Sequence, residues 1–79
     1  FSIYHNEVYS SLAEIYYNNQ DFSKVIIFYK KIEDELKVNQ KFHLAYSYFQ
    51  LDSIENAKYY FSKLLQKLQH STKQKLMSP

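Results

Sequence analysis

A chain of 79 residues holds one small domain at most. It contains no Gly, no Cys and a single Pro, Pro79, which excludes a Gly-rich phosphate loop, a disulfide framework, a thiolate metal site and a cysteine nucleophile. Its ten basic residues are all Lys, and without the Arg that reads bases and phosphates bidentately a net charge of +2 gives no reason to expect a nucleic-acid partner.

The remaining composition suits a folded chain, with 46% hydrophobic and 23% charged residues. The charge is unevenly placed. Residues 1–40 carry four Lys against six acids, and residues 41–79 carry six Lys against two. No apolar run approaches the ~18 residues of a membrane span, so no membrane partner and a cytoplasmic location are expected. His5, Asn6 and Glu7 interrupt the opening segment, which does not read as a signal peptide. The chain opens on Phe1 rather than Met, and an excerpt of a longer protein or a processed product is expected.

Four segments show helical spacing of apolar residues. His5, Tyr9, Leu12, Ala13 and Tyr16 form the first stripe, closed by the turn-forming run Asn18-Asn19-Gln20-Asp21. Phe22, Val25, Ile26, Tyr29, Ile32 and Leu36 form the second, with Asp21 as its expected N-cap and Val38-Asn39-Gln40 as the following break. The third is Phe42, Ala45, Tyr48 and Phe49, ended by Gln50 to Ser53. The fourth is Ile54, Ala57, Phe61, Leu64, Leu65 and Leu68, with Asp52 or Ser53 as cap and Glu55 in capping-box spacing to Asp52. Short connections between such helices make antiparallel neighbours, so the expected fold class is all-α. The lack of Gly supports this, because tight β-hairpins depend on it.

The chain also repeats. A shift of 32 places Leu12, Ala13 and Tyr16 on Leu44, Ala45 and Tyr48, and Val25, Tyr29 and Ile32 on Ala57, Phe61 and Leu64. The turn Gln20-Asp21-Phe22 lands on Asp52-Ser53-Ile54. Two helix-turn-helix units are expected, over about residues 6–37 and 38–69 of a domain spanning 1–69, with a tail at 70–79 that extends or caps the last helix.

These units resemble tetratricopeptide repeats, whose pattern runs aromatic, Leu-small-x-x-Tyr, then Ala-x-x-x-Phe. The first unit supplies Tyr9, Leu12, Ala13, Tyr16, Val25 and Tyr29. The second supplies Leu44, Ala45, Tyr48, Ala57 and Phe61 and follows the pattern more closely. Lys41 stands in place of the first aromatic, Val25 in place of a small residue, and Ile32 and Leu64 are bulky where the family is small. Lys37 and Gln69 occupy the closing Pro position, and the unit is two residues shorter than the usual ~34. The resemblance implies a hairpin solenoid in which Ala13, Ala45 and Ala57 allow close helix approach.

No enzyme chemistry is expected. His5, His43 and His70 are scattered without a second ligand at helical spacing and read as structural or surface residues. Glu33-Asp34-Glu35 reads as a solvated acidic run. No Ser or Thr sits in a nucleophile motif, and no cofactor or metal is expected. The resemblance implies instead a concave groove lined by the first helix of each hairpin. It would comprise Glu7, Ser10, Ser11, Glu14, Tyr17 and Asn18 from one unit and Asn39, Phe42, His43, Tyr46, Phe49 and Gln50 from the other. Ser10, Glu14 and His43 stand where the family's best-known groove grips a terminal carboxylate with Lys and Asn. An apolar, basic protein or peptide is therefore the expected partner, with Tyr60 lying away from the groove. Two alternatives stand beside this scaffold reading: the peptide-sensing regulatory domain of a bacterial signalling-peptide receptor, and a purely structural repeat segment. The apolar residues Ile3, Val8, Leu64, Leu65 and Leu68 are expected at open ends, where they permit self-association.

Overall fold

The computed structural model describes the backbone of residues 2–77 and the side chains of residues 5–66. Four helices follow one another: α1 (Ser2–Asn18), α2 (Phe22–Lys31), α3 (Val38–Gln50) and α4 (Ile54–Met77). A short 3₁₀ turn, Glu33–Glu35, separates α2 from α3. The described residues contain no strand. Each helix packs on its sequence neighbours, α1 on α2, α2 on α3 and α3 on α4. Residues 70–77 continue α4; Ile3 and Leu68 lie outside the described side chains.

The 32-residue repeat appears in the backbone of both hairpin turns. Gln20 and Asp52 adopt left-handed φ values of 62° and 63°. At the first turn the Gln20 N–H donates to the Tyr17 carbonyl at 3.0 Å and the Asp21 N–H to the Tyr16 carbonyl at 2.9 Å. At the second, Asp52 donates to Phe49 at 3.0 Å and Ser53 to Tyr48 at 2.9 Å. Both are Schellman closures, which satisfy the carbonyls left open at a helix end and turn the chain back sharply. The caps differ from expectation. Asp21 precedes α2, but its carboxylate accepts from the Ser23 hydroxyl at 3.2 Å and not from a backbone N–H. Asp52 serves as the left-handed residue closing α3, while the Ser53 carbonyl accepts the Ala57 N–H at 3.0 Å to start α4.

The second helix is shorter than its apolar spacing predicts. It stops at Lys31, and Ile32 (φ −125°, ψ 32°) leaves the helical region. Three consecutive acids follow, and negative charge at a helix C-terminus opposes the helix dipole. The 3₁₀ turn still delivers Ile32 and Leu36 to the interior, so periodicity located buried positions here while misplacing the helix end. Val38-Asn39-Gln40, expected as a break, is the first turn of α3. The Gln40 side chain reaches back to accept the Lys37 N–H at 2.8 Å.

The core follows the small-residue pattern. Ala13, Val25, Tyr29, Leu44 and Ala45 are fully buried, and Ala57 nearly so. Equivalent ring stacks fill the two hairpins: Tyr16 on Phe28 with centroids 5.6 Å apart, and Tyr48 on Tyr60 at 5.5 Å. Such stacks contribute about 0.5–1.5 kcal/mol each beyond their buried area. Tyr60 therefore corrects the sequence reading. It is a core residue packed on α3, in the register of Phe28, and does not lie apart from the inner helices. Ser47 is buried as well, its hydroxyl donating to the His43 carbonyl at 2.8 Å.

Candidate functional site

The α1 helix runs parallel to α3 and alongside the 3₁₀ turn that precedes it, in one register. Asn6 donates to Glu35 at 2.6 Å, Glu14 bonds His43 Nδ1 at 3.1 Å, and the Tyr17 ring meets the Tyr46 ring edge-on at 6.2 Å. Each pair is separated by the same sequence interval.

At the centre, Tyr17 lies flat on His43, with centroids 4.0 Å apart and planes 15° from parallel. Phe22 wedges edge-on against both Tyr17 and Tyr46, at 6.0 and 5.9 Å. Phe42, one helical turn before Tyr46, stacks on it at 6.4 Å and meets Phe61 of α4 edge-on at 5.8 Å. An aromatic band thus crosses from α1 over α3 to α4. Burial raises the Tyr17 phenol pKa, with smaller contributions from Tyr46 and Glu14.

The ten residues expected to line one groove divide into three groups. Glu14, Tyr17, Phe42, His43 and Tyr46 come together in the band. Glu7 and Ser10 lie farther along α1 beside a polar depression of about 280 Å³, shared with Asn6, Glu35, Lys37 and Gln40. Asn18, Phe49 and Gln50 are exposed at the other end, Phe49 with 53% of its surface free. Glu14 is not the free acid expected of it. Its carboxylate accepts a hydrogen bond from the buried Tyr29 hydroxyl and holds His43, joining α1, α2 and α3. Burial and this acceptor together raise the Tyr29 pKa. The acidic run is likewise engaged. Glu33 accepts from Lys30 at 2.9 Å and from the Tyr60 hydroxyl at 2.5 Å, and Lys30 also donates to Tyr60 at 2.9 Å. Asp34 remains exposed.

Sequence reading missed two contributions. Phe22 was assigned only to the buried stripe of α2, yet it completes the band. A larger, almost wholly apolar cleft of about 830 Å³ opens between α3 and α4, lined by Val38, Asn39, Phe42, Phe61, Leu64 and Leu65. Its signal was present in the repeat. Val38, Phe42 and Leu65 are apolar where the first unit has Asn6, Ser10 and Glu33.

This surface offers aromatic faces, a few acids at its edge and an apolar cleft. That combination suits contact with another chain. No family model, curated protein or solved structure matches this chain. Among the described residues, no helix is long and apolar enough to cross a membrane.

Proposed function

We propose that this chain is a tetratricopeptide-like helical-hairpin module, without catalytic activity, that binds a protein or peptide partner across the parallel α1 and α3 helices. The observation that carries this reading is the partly exposed aromatic band of Tyr17, His43, Tyr46 and Phe42, continuous from one hairpin to the next. Aromatic anchors supply most of the binding energy at such surfaces. Exposed Glu7 and Glu35 near the start of α1 favour a basic partner over an acidic one. The apolar ends of the repeat favour a second reading, in which the hairpins stack within a larger array.

A fluorescent amphipathic helical peptide of Leu and Lys, compared with the same peptide carrying Glu for Lys, tests the proposal by anisotropy titration. The Lys peptide should bind and the Glu peptide should not. Equal binding of both, or binding of neither, would set the proposal aside.

A further inference from the structure

The two hairpins share a backbone pattern, so a position buried in one and exposed in the other marks a face that the neighbouring hairpin covers. On α3, Gln40, Leu44 and Ser47 form one stripe, half-buried at Gln40 and fully buried at the other two. The equivalent α1 stripe is Val8, Leu12 and Ile15, where Val8 is 51% and Ile15 54% exposed. At the opposite end, Tyr29 is fully buried while its equivalent Phe61 lines the open cleft. Leu65 and Phe42 in that cleft are 56% and 47% exposed.

The chemistry of the positions changes in parallel. The internal joint sets polar residues against polar ones, Asn6 and Ser10 beside Lys37 and Gln40. At the outer faces the equivalents of Asn6 and Ser10 are Val38 and Phe42, and the equivalent of Gln40 is Val8. Both ends are thus apolar where the middle is polar, and they match each other.

We propose that a second copy of this chain docks head to tail, its α1 entering the cleft between α3 and α4 as α3 itself sits on the first hairpin. Val8 and Leu12 of the incoming helix would meet Phe42, Phe61 and Leu65. This arrangement sets the acidic first half of one copy against the basic second half of the next, whereas a two-fold joint of α1 on α1 or of cleft on cleft sets like charge against like. A head-to-tail joint does not close on itself at two copies, so assembly continues beyond the dimer. The proposal rests on the repeat geometry and not on peptide binding at the α1/α3 face.

Sedimentation of the 79-residue chain over a range of concentrations tests it. The mass should rise with concentration past that of a dimer. Val8→Glu blocks the α1 face and Leu65→Glu blocks the cleft, so each variant alone should sediment as a monomer. Mixed in equal amounts, they retain one good face each and should form a dimer and nothing larger. Circular dichroism confirms that each variant is folded, and Val38→Glu replaces Leu65→Glu if the latter loses helix. A wild-type chain that stays monomeric, or that saturates at a dimer, overturns the proposal. So does a mixture that remains monomeric, and a monomeric wild type leaves the cleft to a different partner.

Discussion

Gln20 and Asp52 stand at equivalent places in the two hairpins, both with positive φ and both closing the same pair of hydrogen bonds without a Gly. A side chain in this conformation is strained, and Asp tolerates it better than Gln. Gln20→Gly should therefore raise stability by about 0.5–1 kcal/mol, after the greater freedom of Gly in the unfolded chain is counted. Asp52→Gly should gain less. The two turns share no hydrogen-bond partner, so the double variant should show the sum. Thermal unfolding checks this, and a loss of Tm in Gln20→Gly would contradict the turn geometry.

Ala57 is 2% exposed where α4 crosses α3, whereas Lys58 beside it is exposed. Ala57→Leu should overpack the joint and cost ~1–3 kcal/mol. Lys58→Leu should leave the unfolding midpoint close to that of the wild type. Denaturant titration compares them, and equal effects would show that the buried face of α4 is wrongly assigned.

The parts legible in the sequence were those set by spacing. Ala13, Ala45 and Ala57 fall at their expected buried places because a helix repeats its faces regularly. The 32-residue shift superposed the two connecting turns, and Gln20 and Asp52 do share a backbone conformation, although the left-handed closure itself was not foreseen. Polar contacts were not legible. The links from Glu14 to Tyr29 and His43, and from Glu33 to Tyr60, join residues far apart in sequence. Nothing in local periodicity distinguishes an exposed acid from one that meets a tyrosine on another helix. The end of α2 was misread for a related reason: Ile32 and Leu36 keep helical spacing although the backbone between them is a 3₁₀ turn.

The Glu33–Tyr60–Lys30 cluster gives stability a dependence on pH. The Tyr60 hydroxyl, and then Lys30, hold the Glu33 carboxyl below its ordinary value of 4.5. Its contribution is present above that value and is lost as the pH falls through the lowered one. Burial, and then the bond to Glu33, push the Tyr60 phenol up to about 12. Its contribution is present below its ordinary value of 10.0 and is lost as the pH rises through the raised one. Tyr60→Phe keeps the stack on Tyr48 and removes only the hydroxyl. It should cost about 1 kcal/mol at neutral pH, near the low end for a charge-assisted bond because Lys30 and Glu33 remain partly exposed. The variant should also show a shallower decline of Tm on both the acid and alkaline sides. Unchanged slopes would remove the cluster as the source of the pH dependence.

Glu7 and Glu14 were grouped as the acids of one groove, but the structure separates their roles, and a pair of charge reversals exposes the difference. Glu7 is exposed near the start of α1, so Glu7→Lys should leave Tm unchanged. It should weaken the Lys peptide by roughly 0.5 kcal/mol at low salt, an effect that fades at high salt as the surface charge is screened. Glu14 holds both the Tyr29 hydroxyl and His43. Glu14→Lys leaves a buried phenol without its acceptor and removes the link that keeps His43 beneath Tyr17, with an expected loss of about 1–3 kcal/mol in stability. Its affinity should fall at every salt concentration, because the band itself is disturbed. Phe49→Ala, on α3 beyond the band and 53% exposed, should weaken the peptide with no loss of Tm. The exposed Tyr59 on α4 is the control, and Tyr59→Ala should bind as the wild type does. If Glu14→Lys instead behaves as Glu7→Lys does, losing affinity only at low salt and keeping its Tm, then Glu14 is a free surface charge and the band is not built on it.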